Sequence, residues 1–444
     1  MADMNKSPIP VTHRTVLAIA VPVVLSNLTT PLLGLADTAV MGQLGGPQYI
    51  GAVAVGGLIF NFMFWAFGFL RMGTTGFTAQ AYGADDGDEV RAALGRALVL
   101  AGVAGIALIV LQWPFEQIAF WLIDGSADVE ALAGDYYAIR IWSAPAALTN
   151  FALLGWFIGL QRARTALVLQ LILNGVNIGL DVFFVIGLGW GVAGVALGTM
   201  IAEVTAAGCG LALAAMSLRG IAGGWSRTAL LDWPRLARTI IVNRDIMART
   251  LLLMFAFAFF VAQSAVAGNV ALAANAVLMQ FVFFAAFFLD GFAFAAEALV
   301  GQALGAKTRR AFDQAIKLSS LWSGGFAVLL SLGFGILGPW FIDFLTIDLA
   351  VRAAARDYLW WAAILPVVSF ACYQLDGVFI GATRTADMRD AAVLSLAVFL
   401  IVWWALLPFG NHGLWAALMI FNAVRAIFLG RYYPALARSV SSPL

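Results

Sequence analysis

Twelve separate stretches of this chain are each long and apolar enough to cross a lipid bilayer, which leaves almost no freedom of fold class. A helix needs about 20 apolar residues to traverse the hydrocarbon core. With no water there, a helix meets every backbone hydrogen-bonding demand within its own segment. The runs fall near residues 15–42, 50–80, 92–113, 136–158, 166–188 and 191–216, then near 240–266, 272–300, 316–338, 358–380, 391–409 and 413–433. The joining loops are mostly short, so neighbouring helices should pack antiparallel. Lys6, His13 and Arg14 precede the first run. That run exceeds the roughly 7–15 residues of a signal-peptide core and is read as a retained span. The expected fold is an all-α integral membrane protein with twelve transmembrane helices.

Composition agrees. Hydrophobic residues make up 62% of the 444 and charged residues only 11%, against about 25% charged in soluble domains. Lipid is therefore expected as the outer solvent. A net charge of +1 offers no basic field for nucleic acid. Cys209 and Cys372 both lie inside apolar runs and suggest neither a disulfide framework nor a metal site. His13 and His412 fall near segment ends, and no HExxH motif lies at depth. These features argue against an intramembrane enzyme, and no cofactor is expected.

The basic residues sort by loop. With the N-terminus placed in the cytoplasm, twenty of the 25 Lys and Arg fall in cytoplasmic segments, among them Arg162, Arg164, Lys307, Arg309, Arg310 and the stretch from Arg219 to Arg249. Arg352 and Arg356 fall outside, and Arg71, Arg140 and Arg425 lie within spans. This positive-inside bias predicts a multi-pass plasma (inner) membrane protein with both termini cytoplasmic.

Displacing the chain against itself by 222 residues brings its two halves into register. Gln80-Ala-Tyr-Gly-Ala84 then meets Gln302-Ala-Leu-Gly-Ala306, Asp135-Tyr136 meets Asp357-Tyr358, Ile158-Gly159 meets Ile380-Gly381, Arg162 meets Arg384, and Gly191 meets Gly413. One offset holds from the second span of each half to the sixth. The expected domains are an N-terminal six-helix lobe, 1–222, and a C-terminal six-helix lobe, 223–444, with a basic cytoplasmic linker at about 217–249. Two six-span halves cross with the same orientation and are pseudo-symmetric about the membrane normal. In transporters built this way the pathway lies at the repeat interface.

Ionisable groups within spans are costly, roughly 2.5–3.5 kcal/mol on insertion scales, and mark functional positions by default. Asp37 lies about six residues before an external turn. Asp181 lies about eight residues before the next one, and Thr199 about eight after it. At 1.5 Å rise per residue all three sit about 9–12 Å below the outer surface. Asn174, Asn177 and Asp181 follow i, i+3, i+7 spacing and share one helical face. Two neighbouring carboxylates cannot both ionise cheaply, so one keeps a proton or a cation binds between them. Oxygen ligands from Asp37, Asn177, Asp181 and Thr199 suit a hard cation such as Na⁺, and they suit H⁺ equally. A hydrogen-bond cluster that serves only packing is the competing reading.

The second half does not repeat this cluster: at the same offset Asp37, Asp181 and Thr199 meet Phe259, Trp403 and Phe421. It carries Asp290, Glu297 and Asp376 instead, and Glu203 meets Arg425. Arg71 and Arg425 need acceptors, for which Asp290, Glu297 and Asp376 are available. For this group, ion pairing that locks helices and a role in substrate binding stand as equal readings. Pro22 and Pro31 flank Asn27 in span one and remove backbone hydrogen bonds there. A bend in the helix that carries Asp37 would connect protonation to shape, and a static kink is the alternative.

Three motifs carry a resemblance to a known family. The span-one segment Pro31-Leu-Leu-Gly-Leu-Ala-Asp37-Thr-Ala-Val resembles the multidrug and toxic compound extrusion (MATE) family. Phe69-Leu-Arg-Met-Gly-Thr-Thr-Gly-Phe-Thr-Ala-Gln-Ala81 and Gln374-Leu-Asp-Gly-Val-Phe-Ile-Gly-Ala-Thr-Arg384 are similar to its DinF-like branch. The resemblance covers nearly the whole chain. It implies an antiporter that exports organic, often cationic, xenobiotic compounds in exchange for H⁺ or Na⁺ by alternating access of two lobes. By motif match, Asp37, Asn177, Asp181 and Thr199 are the cation-coupling residues, and Pro22 is the hinge proline of span one. The NorM-like branch places a second cation site in the C-lobe, with an acidic residue on span seven. Span seven here is read as having none, and Asp376 on span ten is a partial match, so that site is not expected. One chain holds a complete two-lobe pathway and is expected to function as a monomer. A flippase for a lipid-linked precursor is the alternative. It calls for a strongly cationic cavity, yet only Arg71, Arg140 and Arg425 lie within spans.

Overall fold

A computed structural model describes residues 10–123 and 126–440; Lys6 lies outside the described residues. Among them, twelve helices are long and apolar enough to cross a membrane. In chain order they are α1 (His13–Gly42), α2 (Pro47–Gly83), α3 (Gly87–Val110), α4 (Ala127–Gly159), α5 (Ala163–Gly187), α6 (Gly191–Leu218), α7 (Arg227–Val266), α8 (Asn269–Gly305), α9 (Arg309–Leu345), α10 (Leu349–Gly381), α11 (Thr385–Ala405) and α12 (Leu407–Ser439). Every expected span is found. Several extend past the apolar run, because polar residues continue a helix that has already left the hydrocarbon. Bulky apolar side chains stay uncovered at many positions, among them Trp121, Ile336 and Phe344. Such exposure is tolerable only where the surroundings are themselves apolar. A short helix, Gln112–Leu122, follows α3 and exposes Trp113 and Trp121, side chains suited to a membrane interface.

The repeat is written into the backbone. Four non-glycine residues have positive φ, and they form two pairs at the repeat offset: Asp85 (57°) with Lys307 (52°), and Gln161 (58°) with Thr383 (53°). Each follows the end of a helix. Arg162 N–H donates to Phe157 O at 2.8 Å, and Arg384 N–H donates to Phe379 O at 3.0 Å. These are left-handed helix caps, and non-glycine residues seldom adopt them. Gly83 and Gly305 in the repeated motif serve close approach: a methyl group at either would run into the backbone of Gln302 or Gln80.

Contacts divide the chain into two compact units. One comprises Leu25–Thr78 and Asp86–Thr239; the other comprises the described residues up to Val24, Ala79–Asp85 and Ile240–Leu444. The first has a core in which Phe60, Tyr136, Tyr137, Leu148 and Val195 are fully enclosed. The second is centred on Phe260, Leu278, Phe399, Trp415 and Phe421. Within the second, Gln80 Nε2 donates to Gly381 O at 2.8 Å and to Thr383 Oγ1 at 3.2 Å.

The basic segment 217–249 is anchored at its start. Arg91 donates to four carbonyls: Leu218, Ile221 and Ala222 beyond the end of α6, and Gly87 on its own helix. Gly224 N–H donates to Asp88 Oδ1 at 2.7 Å, and Glu89 pairs with Arg96 and Arg235. From Trp233 onward the segment is helical.

Candidate functional site

The polar face expected on α5 is present and buried. Asn174, Asn177 and Asp181 are 5%, 0% and 0% exposed. The Asn177 amide is satisfied best with its nitrogen toward Asp181. Nδ2 then donates to Asp181 Oδ2 at 3.2 Å, and Oδ1 accepts from Thr199 N–H at 3.1 Å and from the Thr199 hydroxyl at 3.0 Å. Thr199 Oγ1 also lies 3.0 Å from Val195 O, one turn back on α6. Asn174 accepts from Gln170 at 3.0 Å and donates to Thr29 O on α1 at 3.3 Å, which ties α5 to α1.

Asp37 on α1 completes the group: its carboxyl meets that of Asp181 at hydrogen-bonding range. One oxygen of each, Asp37 Oδ1 and Asp181 Oδ1, is buried without a protein partner. Buried carboxylate oxygens are rarely left so, because desolvation without compensation is expensive. Two local features give α5 and α6 this approach. The residue facing Asp181 on α6 is Gly198, where a methyl group would collide with Asp181 Oδ1. The helix turn also changes immediately after Asp181, to a π-helix over Val182–Gly187, an irregularity found mostly at functional sites. Four residues from α1, α5 and α6 therefore converge, with vacant oxygen valences at the centre. They can hold a proton between the carboxyls or ligate a small hard cation.

The cluster reaches further than the sequence indicated. Arg140 on α4 lies half-buried beside it, near enough for its charge to act on both Asp37 and Asp181. Its Nη1 donates to the Tyr136 hydroxyl at 2.7 Å, its Nη2 lies 3.6 Å from Glu203 Oε1, and its plane rests 4.7 Å from the Phe60 ring. Glu203 comes from α6, one helical turn from Thr199, and Asn150 donates to its carbonyl at 3.0 Å. Arg140 was visible as a span cation. Tyr136 is four residues back on the same helix, but Glu203 lies on another helix, and spacing along one helix cannot reveal it.

The remaining sequence candidates are placed as follows. Pro22 is buried and Pro31 exposed, both within the unbroken helix α1, with half-buried Asn27 between them. Arg71 is buried, and Gly155 packs against its backbone. Glu297 is buried, and Asp290 is half-buried. Asp376 is the acceptor for Arg425, at 2.5 Å, and also for Arg249. All three are more than nine-tenths buried. The pairing of Asp376 with Arg425 was among those anticipated. Arg249 was not, because it had been assigned to the basic linker, whereas it lies inside a helix. A small cavity of about 10 Å³ in the same unit is lined by Phe257, Leu365, Ser369, Tyr373 and Asn422, among others. Asn422 Oδ1 is 3.4 Å from Arg425.

One expectation needs correction. Span seven does carry an acid, Asp245, in the first half of its helix and 1% exposed. It accepts from Arg389 at 2.8 Å and from Arg244 at 3.0 Å. Two guanidiniums already compensate the charge of Asp245, both through Oδ1.

The sequence profile of the MatE family matches residues 22–183 and 246–406, two copies displaced by nearly the repeat offset. The chain is 42% identical to DNA damage-inducible protein F of Escherichia coli over 413 residues, 93% of this chain and 90% of that protein. It is 25% identical to a probable multidrug resistance protein NorM of Rhizobium meliloti, over 98% of this chain and 95% of the relative. Among solved structures, the Vibrio cholerae MATE transporter VcmN in its bent form superposes with a TM-score of 0.86 at 20% identity, covering 96% of this chain and 97% of that one.

Proposed function

We propose that this chain, which belongs to the MatE family of multidrug and toxic compound extrusion transporters, exports small organic compounds in exchange for H⁺ or Na⁺ taken at Asp37 and Asp181. The observation that carries the reading is the carboxyl pair itself. Asp181 is buried and Asp37 half-buried, one oxygen of each is enclosed without a protein partner, and the pair is framed by Asn177 and Thr199. A purely structural cluster would spend its acceptors on neighbouring donors. This one keeps them available at a depth where a bare carboxylate is costly.

Binding of a cation changes what Asp37 needs from its surroundings, and Asp37 rides on the helix that carries Pro22 and Pro31. Proline leaves carbonyls of the preceding turn without their usual donor, so such a helix bends at little cost. Charge at Asp37 and curvature of α1 are thereby linked. Release of substrate on one side and of the cation on the other then follows by alternating access of the two lobes. The name of the NorM relative and the bent-form description of VcmN agree with this reading. The remaining elements of the proposal are a functional monomer, residence in the plasma (inner) membrane, cytoplasmic termini as the basic-residue bias indicates, and organic, often cationic, substrates. The lipid-precursor flippase reading gains no support from these relatives.

The test is ethidium efflux from proteoliposomes under an imposed pH gradient or an imposed Na⁺ gradient. Efflux driven by one gradient and abolished in Asp37→Asn supports the reading and identifies the ion. A folded Asp37→Asn protein that retains gradient-driven efflux overturns it.

A further inference from the structure

We infer that Arg140 is a built-in competitor for the coupling cation: its guanidinium lies beside Glu203, out of direct contact with the Asp37–Asp181 pair but close enough for its charge to reach it, and it moves onto the aspartates when the cation leaves. The inference rests on the proposed coupling site and adds two residues to it.

Arg140 is half-buried, and a guanidinium has five N–H donors to satisfy. Tyr136 takes one at 2.7 Å. Glu203 is met at 3.6 Å, longer than a hydrogen bond should be. Arg140 Nε has no partner, and neither does Glu203 Oε2. On the other side of the cation stand the vacant oxygens of Asp37 and Asp181. Arg140 is thus incompletely paired toward both groups of carboxylates.

The charged and titratable groups facing it can be named element by element: Asp37 from α1, Tyr136 from α4, Asp181 from α5 and Glu203 from α6, with Phe60 of α2 supplying a ring face. Three carboxylates lie within electrostatic reach of one guanidinium, and only Glu203 is close to it. With all ionised, the cluster carries two uncompensated negative charges in a medium where isolated charge is costly. A cation bound at Asp37 and Asp181 repels Arg140 toward Glu203. When that cation departs, the same guanidinium neutralises the emptied aspartates, and the protein is not left holding two bare carboxylates. An arginine keeps its charge at every accessible pH, so it competes by position and not by titration.

The inference predicts shifts of opposite sign. Glu203→Gln removes the resting partner, holds Arg140 on the aspartates and weakens the site for its cation. Arg140→Gln removes the competitor, so the cation binds more tightly and leaves more slowly. The experiment is ethidium efflux from proteoliposomes of the full chain, titrated with external pH in the absence of Na⁺ and with external Na⁺ at fixed alkaline pH. Expected are a half-saturating cation concentration raised about tenfold in Glu203→Gln and lowered about tenfold in Arg140→Gln, the size of one pKa unit. Maximal efflux should also fall in the arginine variant. Arg140→Lys, which retains a mobile charge, should stay within a few-fold of wild type, and it serves where Arg140→Gln is poorly folded. Shifts of the same sign in both variants, or no shift in either, would reduce the contact to a structural ion pair and overturn the inference. Its failure is separable from failure of the coupling site: wild-type efflux that Asp37→Asn abolishes leaves that site intact whatever Arg140 does.

Discussion

Each half of this molecule holds one intramembrane charge cluster, and the two clusters are opposite in sign. In the first, Asp37, Asp181 and Glu203 lie within electrostatic reach of one guanidinium, that of Arg140. In the second, one carboxylate, Asp376, carries two guanidiniums, those of Arg249 and Arg425. One matched position carries the inversion, since Glu203 corresponds to Arg425 at the repeat offset. The backbone keeps the symmetry through paired left-handed caps and paired close-approach glycines. Duplication therefore preserved the scaffold while the buried chemistry diverged in sign. A cluster short of positive charge has use for a cation from outside. A cluster whose carboxylate already holds two tethered cations does not.

The sharpest way to break this comparison is to neutralise the carboxylates of each half in turn. Asp181→Asn, like Asp37→Asn, should remove gradient-driven efflux by about 100-fold or more while the detergent-solubilised protein stays folded, because a carboxyl pair with unspent valences contributes little to packing. Asp376→Asn should do the reverse. It leaves two buried guanidiniums facing a neutral amide, and breaking a buried pair costs about 3–5 kcal/mol. Thermal unfolding in detergent should show a large fall in Tm, while the surviving protein keeps the wild-type dependence on the coupling ion. If Asp376→Asn instead shifts the ion dependence at unchanged Tm, the second half holds a cation site after all and the contrast collapses.

These contrasts were only partly legible in the sequence. The twelve spans, the repeat and the common depth of Asp37, Asp181 and Thr199 could be read out because each depends on distance along a helix, which spacing measures; that the helices bring them together with Asn177 was implied only by the family resemblance. Arg140 and Glu203 were both seen as intramembrane charges. Their pairing depends on how α4 and α6 are rotated about their axes, and twelve apolar helices show little one-sided patterning from which rotation can be judged. Arg249 and Asp245 were misjudged for a different reason. Hydropathy ends a span where charges begin, so charged residues buried inside a helix end are counted as loop or passed over.

A smaller effect probes how tightly the first half holds its site. Gly198→Ala places a methyl group against Asp181 Oδ1, and overpacking of this kind costs about 1–3 kcal/mol. The α5–α6 approach should open and weaken the cation ligands, seen as a several-fold higher half-saturating concentration of coupling ion and a modest loss of Tm. Ile420 stands at the matching position of the second half. Ile420→Ala should leave ion dependence unchanged and lower only stability. Equal effects of the two substitutions on coupling would mean that Gly198 serves packing alone.

The smallest predicted effect concerns the symmetry that survives. Asp85, Lys307, Gln161 and Thr383 all hold positive φ, a conformation that costs a residue with a side chain about 1–2 kcal/mol. Glycine relieves that strain but adds freedom to the unfolded chain. On backbone grounds each substitution by glycine should therefore stabilise by only about 0.5 kcal/mol net. What matters is the pattern across the set. Asp85→Gly should match Lys307→Gly to within the error of a Tm measurement, Thr383→Gly should fall below Gln161→Gly by the hydrogen bond it loses from Gln80, and none should alter ion dependence. Matched shifts at Asp85 and Lys307 would show that the halves remain energetically equivalent in that turn while differing in their buried charge. If one of those two stabilises and the other destabilises, local side-chain contacts have replaced backbone geometry as the determinant of these caps. The inversion of charge would then be one part of a wider divergence that reaches the scaffold itself.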